Sequence, residues 1–127
     1  MMEEDDTVDT GHVIFSLLVN SEDSIHALAH LPGRSRPAAP GDDHLYIVFQ
    51  SSFEEPAWSA RADRVDECIH EAVDALVSTG VSLTSLHREH VTVRAHFTFP
   101  HGAETISAEA VQRLASCNAT IWIDVND

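Results

Sequence analysis

The sequence predicts an α/β (α+β) protein: a two-layer sandwich with a mixed sheet of about four strands and about three helices, mainly on one face, in the order βαβαβαβ. Three observations predict it. Residues 91–99, VTVRAHFTF, alternate with period two, apolar or small at Val91, Val93, Ala95, Phe97 and Phe99, polar at Thr92, Arg94, His96 and Thr98; that is a strand with one face buried. Residues 59–79 repeat Val65, Ile69, Ala72 and Leu76 at helical spacing. Two strands carry a clean polar face, which a sheet covered by helices on both sides would not show.

The elements follow in order. Residues 1–10 hold five acids and little to bury, and read as a disordered acidic tail ahead of a single domain over 11–127. VIFSLLVN (13–20) is apolar on both faces and reads as a central strand. Asn20 or Ser21 can cap a following helix whose buried stripe is Ile25, Leu28 and Leu31. The segment 31–43 holds three prolines and two glycines and must be a loop. In HLYIVFQSSF (44–53) Leu45, Ile47 and Phe49 share one face, and Tyr46, Val48 and Gln50 the other. The long helix over about 59–79 ends at Gly80, a natural C′ residue. The third strand spans 90–99 and is broken by Pro100 and Gly102. Ser107 caps a last helix that buries Ala110, Val111 and Leu114. The final strand, TIWIDVN (120–126), points Ile121, Ile123 and Val125 inward and Trp122, Asp124 and Asn126 outward. A helix between the last two strands returns the chain to the same end, so that pair should be parallel.

A chain of 127 residues fits one domain, since domains cluster at roughly 100–150 residues. Its charge is the strongest compositional signal. Twenty-one acids against seven bases give −14, and all seven bases are arginine. Such a chain is repelled by a nucleic-acid backbone and by an anionic membrane. It suits a basic protein partner, or the solubility needs of a salt-adapted cell. Two cysteines, Cys68 and Cys117, are too few for a disulfide framework or a zinc knuckle, and Cys68 reads as a small buried hydrophobe. The acidic N-terminus has no signal-peptide character and no apolar run approaches the roughly 18 residues of a membrane span, so a cytoplasmic protein is expected.

Chemistry-bearing patterns are sparse. His26 and His30 stand at i, i+4 on the first expected helix, and His87 and His90 form an HxxH pair around Glu89. Zinc needs three or four converging ligands, and neither pair supplies a third by spacing. HREH is not HExxH. No nucleophile elbow and no phosphate-binding glycine motif is present. No metal, no cofactor and no catalytic residue is therefore expected. Asp63, Asp66, Glu67, Glu71 and Asp74 run along the long helix, as a solvated face or as an acidic surface that mimics phosphate spacing. Arg94, His96, Trp122 and Asp124 should share the open sheet face, with Tyr46 on the same side. An outward tryptophan on a polar face is the residue type that anchors interfaces. The alternatives are that Trp122 packs under the 31–43 loop and that Arg94 and Asp124 form an ordinary cross-strand ion pair. Arg34 and Arg36, in that loop, are candidates for an anion site together with Arg94 and His96.

The segments HALAHLPGRSRPAAPGD (26–42) and ISAEAVQRLASCNATIWIDVN (106–126) resemble a bacterial family of small domains, domain-of-unknown-function family 4279. The likeness spans about 13–126, and its closing segment is the most specific part. The family's frequent Trp-Ser in the second strand is absent here, where Tyr46 and Ile47 stand. The resemblance implies the strand–helix order above and an accessory protein; some members lie in neighbourhoods suggestive of toxin–immunity systems. It carries no catalytic residues.

The sequence thus leads to a non-enzymatic acidic binding domain, an inhibitor or immunity protein for a basic toxin or nuclease. The competing expectations are a small-anion binder or enzyme using the open face and the 31–43 loop, and a housekeeping domain of a salt-adapted cell. An open sheet face or edge could also serve a homodimer.

Overall fold

In the computed structural model residues 11–34, 44–100 and 104–125 are described. The expected acidic tail 1–10, Arg36 and most of the 31–43 loop lie outside them.

The first described strand lies at the centre of the sheet. Strand β1 (His12–Ser21) pairs antiparallel with β3 (His44–Glu54) on one side and with β4 (Val91–Phe99) on the other. A two-residue strand, β2 (Gly33–Arg34), lines the outer edge of β3, and β5 (Ala119–Val125) runs parallel to β4. The sheet order is β2-β3-β1-β4-β5, four long strands and one short. It is a mixed sheet of the α+β class, with the last long pair parallel as expected.

Two α-helices cover one face: α1 (Trp58–Ser78) and α2 (Ala108–Ser116). Helix α1 buries Val65, Ile69, Ala72 and Leu76, the stripe its periodicity predicts. Ser107 caps α2, its hydroxyl accepting from the Ala110 amide at 3.1 Å. Gly80 takes φ +82° just beyond α1, the left-handed turn that favours glycine. Val13, Phe15, Leu17 and Val19 of β1 meet Val93, Ala95 and Phe97 of β4 beneath these helices. Phe15 and Phe97 stack with centroids 4.7 Å apart.

The expected first helix does not form, so the order is not βαβαβαβ. Only a 3₁₀ turn, His26–Leu28, stands there. The backbone of 22–25 is already bonded elsewhere: the Glu22 amide donates to the His90 carbonyl, the Asp23 amide to the Ser21 hydroxyl, and the Ile25 amide to the Tyr46 hydroxyl. Ser21 ends β1 instead of capping a helix. Leu28 is buried and Ile25 and Leu31 are half-buried, so the apolar stripe points inward without helical geometry. A second 3₁₀ stretch, Leu83–His87, precedes β4.

Strand β3 corrects a second expectation. Its pairing with β1 slips between Leu17 and Leu18, which face Phe49 and Ile47; Val48 is the extra residue of a bulge. The bulge exchanges the faces of β3 along its length. Beyond it Phe49 and Phe53 face the helices, but before it Tyr46 does, at 1% exposure. Tyr46 is therefore a core residue and does not belong to the open face.

Strand β5 corrects a third. Ile121 is half-buried, but Ile123 and Val125 remain 50% and 51% exposed. The inward face of an edge strand is covered only as far as α2 reaches.

Candidate functional site

The open face is a grid read from the register. Ser16, His96 and Trp122 stand side by side across β1, β4 and β5, with Leu18, Arg94 and Thr120 in the next row and Ile14, Thr98 and Asp124 in the row beyond. Alternation in β4 fixes which side chains emerge here, because its odd residues are committed to the core.

Trp122 is 49% exposed, and Ile14 is also exposed on this face. The Arg94 guanidinium lies over the indole, 4.4 Å from the ring centroid. A cation over a tryptophan face is worth about 0.5–1 kcal/mol at an exposed site. The His96 ring is tilted against the indole, with centroids 6.1 Å apart. Its Nε2 is 2.8 Å from Asp124 Oδ2. The carboxylate thus pairs with the histidine, and the arginine takes the ring; the cross-strand Arg94–Asp124 pair considered from sequence is not the arrangement found. Four residues expected to share this face do so, and their mutual contacts hold Trp122 in one orientation while leaving half of it in solvent.

Of the two loop candidates, Arg36 lies outside the described residues and the backbone of Arg34 stands apart from this cluster. Arg34 lies on β2, with β3 and β1 between it and β4, so its backbone is about 15 Å away at roughly 4.8 Å per strand. The anion site combining Arg34 with Arg94 and His96 is not assembled by the sheet. The edge carrying β2 is also the one far from Trp122.

The acidic helix divides in two. Asp63, Glu67 and Glu71 are exposed and follow one another at i, i+4 spacing. Asp66, half-buried, and Asp74, itself exposed, bond across to the α2 segment. The Ser107 amide donates to Asp66 Oδ1 at 3.2 Å, and Arg113 Nη2 donates to Asp74 Oδ1 at 2.8 Å, tying α2 to α1.

The histidine pairs come apart in space. His26 lies in the 3₁₀ turn, so the i, i+4 geometry with His30 does not exist. His87 is exposed, and His90 Nε2 is 3.4 Å from Asp23 Oδ2. One member of each pair, His26 and His90, instead lines a cleft of about 230 Å³ with Arg88, Asp23, Ser24 and Ser85. Among the described residues no three His, Cys, Asp or Glu side chains converge to hold a metal ion. Burial pushes both cysteine thiols above their ordinary range, by desolvation first in each case, which makes them poor nucleophiles.

Sequence reasoning missed one arrangement, the buried pair of Arg61 and Glu104, whose side chains are 6% and 7% exposed. Arg61 Nε and Nη2 fork onto the Glu104 carboxylate at 2.9–3.2 Å, and Nη1 donates to the Glu55 carbonyl at 2.7 Å and to that of Pro56 at 3.1 Å. Gly11 lies against it; a Cβ there would stand 2.9 Å from Arg61 Nη1 and far inside contact with the Glu55 carbonyl. The signal was legible: Arg61 stands four residues before Val65, on the buried stripe of α1. Compared with protein-family models, curated proteins and solved structures, the chain matches none.

Proposed function

We propose that this chain is a non-enzymatic binding domain that caps a basic protein, acting as its inhibitor or immunity partner, with Trp122 on the open sheet face as the anchor. The observation that carries the reading is the indole itself, half in solvent and in contact with Arg94 and His96. Interface hot spots are enriched in tryptophan and arginine, and rigid anchors lose little entropy on binding. The net charge of −14 selects the partner's sign. The exposed carboxylates Asp63, Glu67 and Glu71 would add long-range attraction, and such attraction raises association rate more than affinity.

The test is capture from cell extract by the wild-type chain and by Trp122→Ala, with bound proteins identified by mass. A basic protein held by the wild type, released as salt rises and lost with Trp122→Ala, supports the reading. A captured set indifferent to Trp122→Ala moves the surface to α1.

A second reading, a small-anion binder, is favoured by the cleft that gathers Arg88, His26 and His90. Inorganic phosphate should then raise the melting temperature of the wild type and not of Arg88→Ala. No phosphate-dependent shift in the wild type removes this reading.

A further inference from the structure

We propose that two copies of this chain pair through the free edge of β5, antiparallel and centred on Trp122. Strand β5 closes the sheet order on its side, and no second strand lies against it among the described residues. Proteins guard such edges with proline, lysine, bulges or an inward charge. Ala119–Val125 carries no proline or lysine, its register with β4 is unbroken, and its one charge, Asp124, is engaged by His96. The other edge is treated differently: β3 is bulged and β2 pairs with it over only two residues. Both faces of β5 also expose apolar groups, Trp122 on the open side and Ile123 and Val125 on the helix side.

The occupant follows from self-complementarity. Trp122 is the middle residue of β5, so the register centred on it is the one that pairs the whole strand. In that register Ile121 faces Ile123 of the second copy, Ala119 faces Val125, and the two indoles meet at the twofold axis. Asp124 faces Thr120 of the second copy, so no like charges are opposed. A slip that centres the pair on Asp124 would set the two carboxylates against each other, which destabilises a cross-strand pair.

Net charge opposes any pairing of identical acidic chains, but its local distribution does not. The exposed acids Asp63, Glu67 and Glu71 of α1 belong to a helix that packs on α2 and on β3, and β1 and β4 lie between β3 and β5. Among the described residues, the ionisable side chains of β4 and β5 are Arg94, His96 and Asp124. Repulsion between the copies therefore acts over distance, where about 0.15 M salt already screens beyond roughly 8 Å. The dimer should tighten as salt rises, the opposite of the dependence expected for a basic partner. The two proposals stand or fall separately. A single-strand seam buries on the order of 1,000 Å² in total, the low end for a specific interface, so the dimer is a weak one.

Sedimentation equilibrium of the full chain from micromolar to millimolar concentration is the first measurement. Mass should rise toward twice 13.9 kDa, at lower concentration in about 1 M salt than in about 0.15 M. Ile123→Lys places an ammonium against Ile121 of the second copy and should weaken the dimer at least about tenfold, equivalent to about 1.4 kcal/mol. Its melting temperature at low concentration should match the wild type. A register test does not depend on that variant. The double variant Thr120→Cys with Asp124→Cys should cross-link under oxidation, and each single variant should not, because like positions lie about 14 Å apart in the centred register. A monomer at every concentration overturns the proposal. So does a dimer in which the double variant fails to cross-link, or in which a single variant links as readily.

Discussion

Each layer of this protein holds an arginine and a large aromatic, and the two layers use them differently. On the helix side Arg61 is buried and forked onto Glu104, and Tyr46 is 1% exposed with its hydroxyl accepting from the Ile25 amide at 2.9 Å. On the open side Arg94 rests on Trp122, and His96 pairs with an Asp124 that is more than half exposed. In the helix layer the polar atoms of Arg61, Glu104 and Tyr46 have been taken from water and must keep their partners. On the open face water can replace any partner, so the contacts orient side chains without holding the fold together. Residue type alone does not distinguish structural from functional positions; what removal of a partner would leave behind does.

That contrast can be broken by substitution. Arg61→Ala should be the most damaging change, because it leaves the Glu104 carboxylate buried and uncompensated. A loss of about 3–5 kcal/mol is expected in denaturant melts. Arg61→Met with Glu104→Met should recover most of it. A loss below about 1 kcal/mol for Arg61→Ala would mean that water reaches the pair.

Trp122→Ala should cost an identified basic partner at least about 2 kcal/mol of affinity while changing folding stability by under about 1 kcal/mol. If instead it destabilises the fold and leaves affinity intact, the open face is structural and the contrast fails.

Tyr46→Phe removes one acceptor and keeps the ring, so about 1 kcal/mol of stability should be lost. This change sharpens the comparison, since a tyrosine on the open face would show almost none. Asp124→Asn should be the mildest, within about 0.5 kcal/mol, because an exposed pair is worth little and is screened by salt. A larger loss would make the His96–Asp124 pair a fold determinant.

Some of this could be read from the chain. The spacing of Val65, Ile69, Ala72 and Leu76 gives α1 within one residue at each end. Ser107 marks the start of α2, and the alternation of 91–99 gives both faces of β4. The four open-face residues Arg94, His96, Trp122 and Asp124 follow from the same alternation. These are local signals, set by period and by capping chemistry. Three expectations drawn from apolar segments failed, one of them the inward burial of Ile123 and Val125 on β5. Residues 21–31 carry an inward stripe, yet their amides are engaged by His90, by Ser21 and by Tyr46. In β3 a single extra residue at Val48 turned Tyr46 from the open face into the core.

By itself the sequence determined which segments are periodic, where α1 stops, the parallel pairing of the last two strands and the net charge of −14. Tertiary structure decided the rest. A bulge is a mismatch between two strands, so neither strand's sequence contains it alone. Whether 21–31 coils into a helix depends on competing hydrogen-bond partners that arrive from residue 46 and residue 90. The identity of Asp124's partner was decided in the same way. Arg94 and His96 are both within reach of β5; the arginine lies over the indole and the histidine takes the carboxylate.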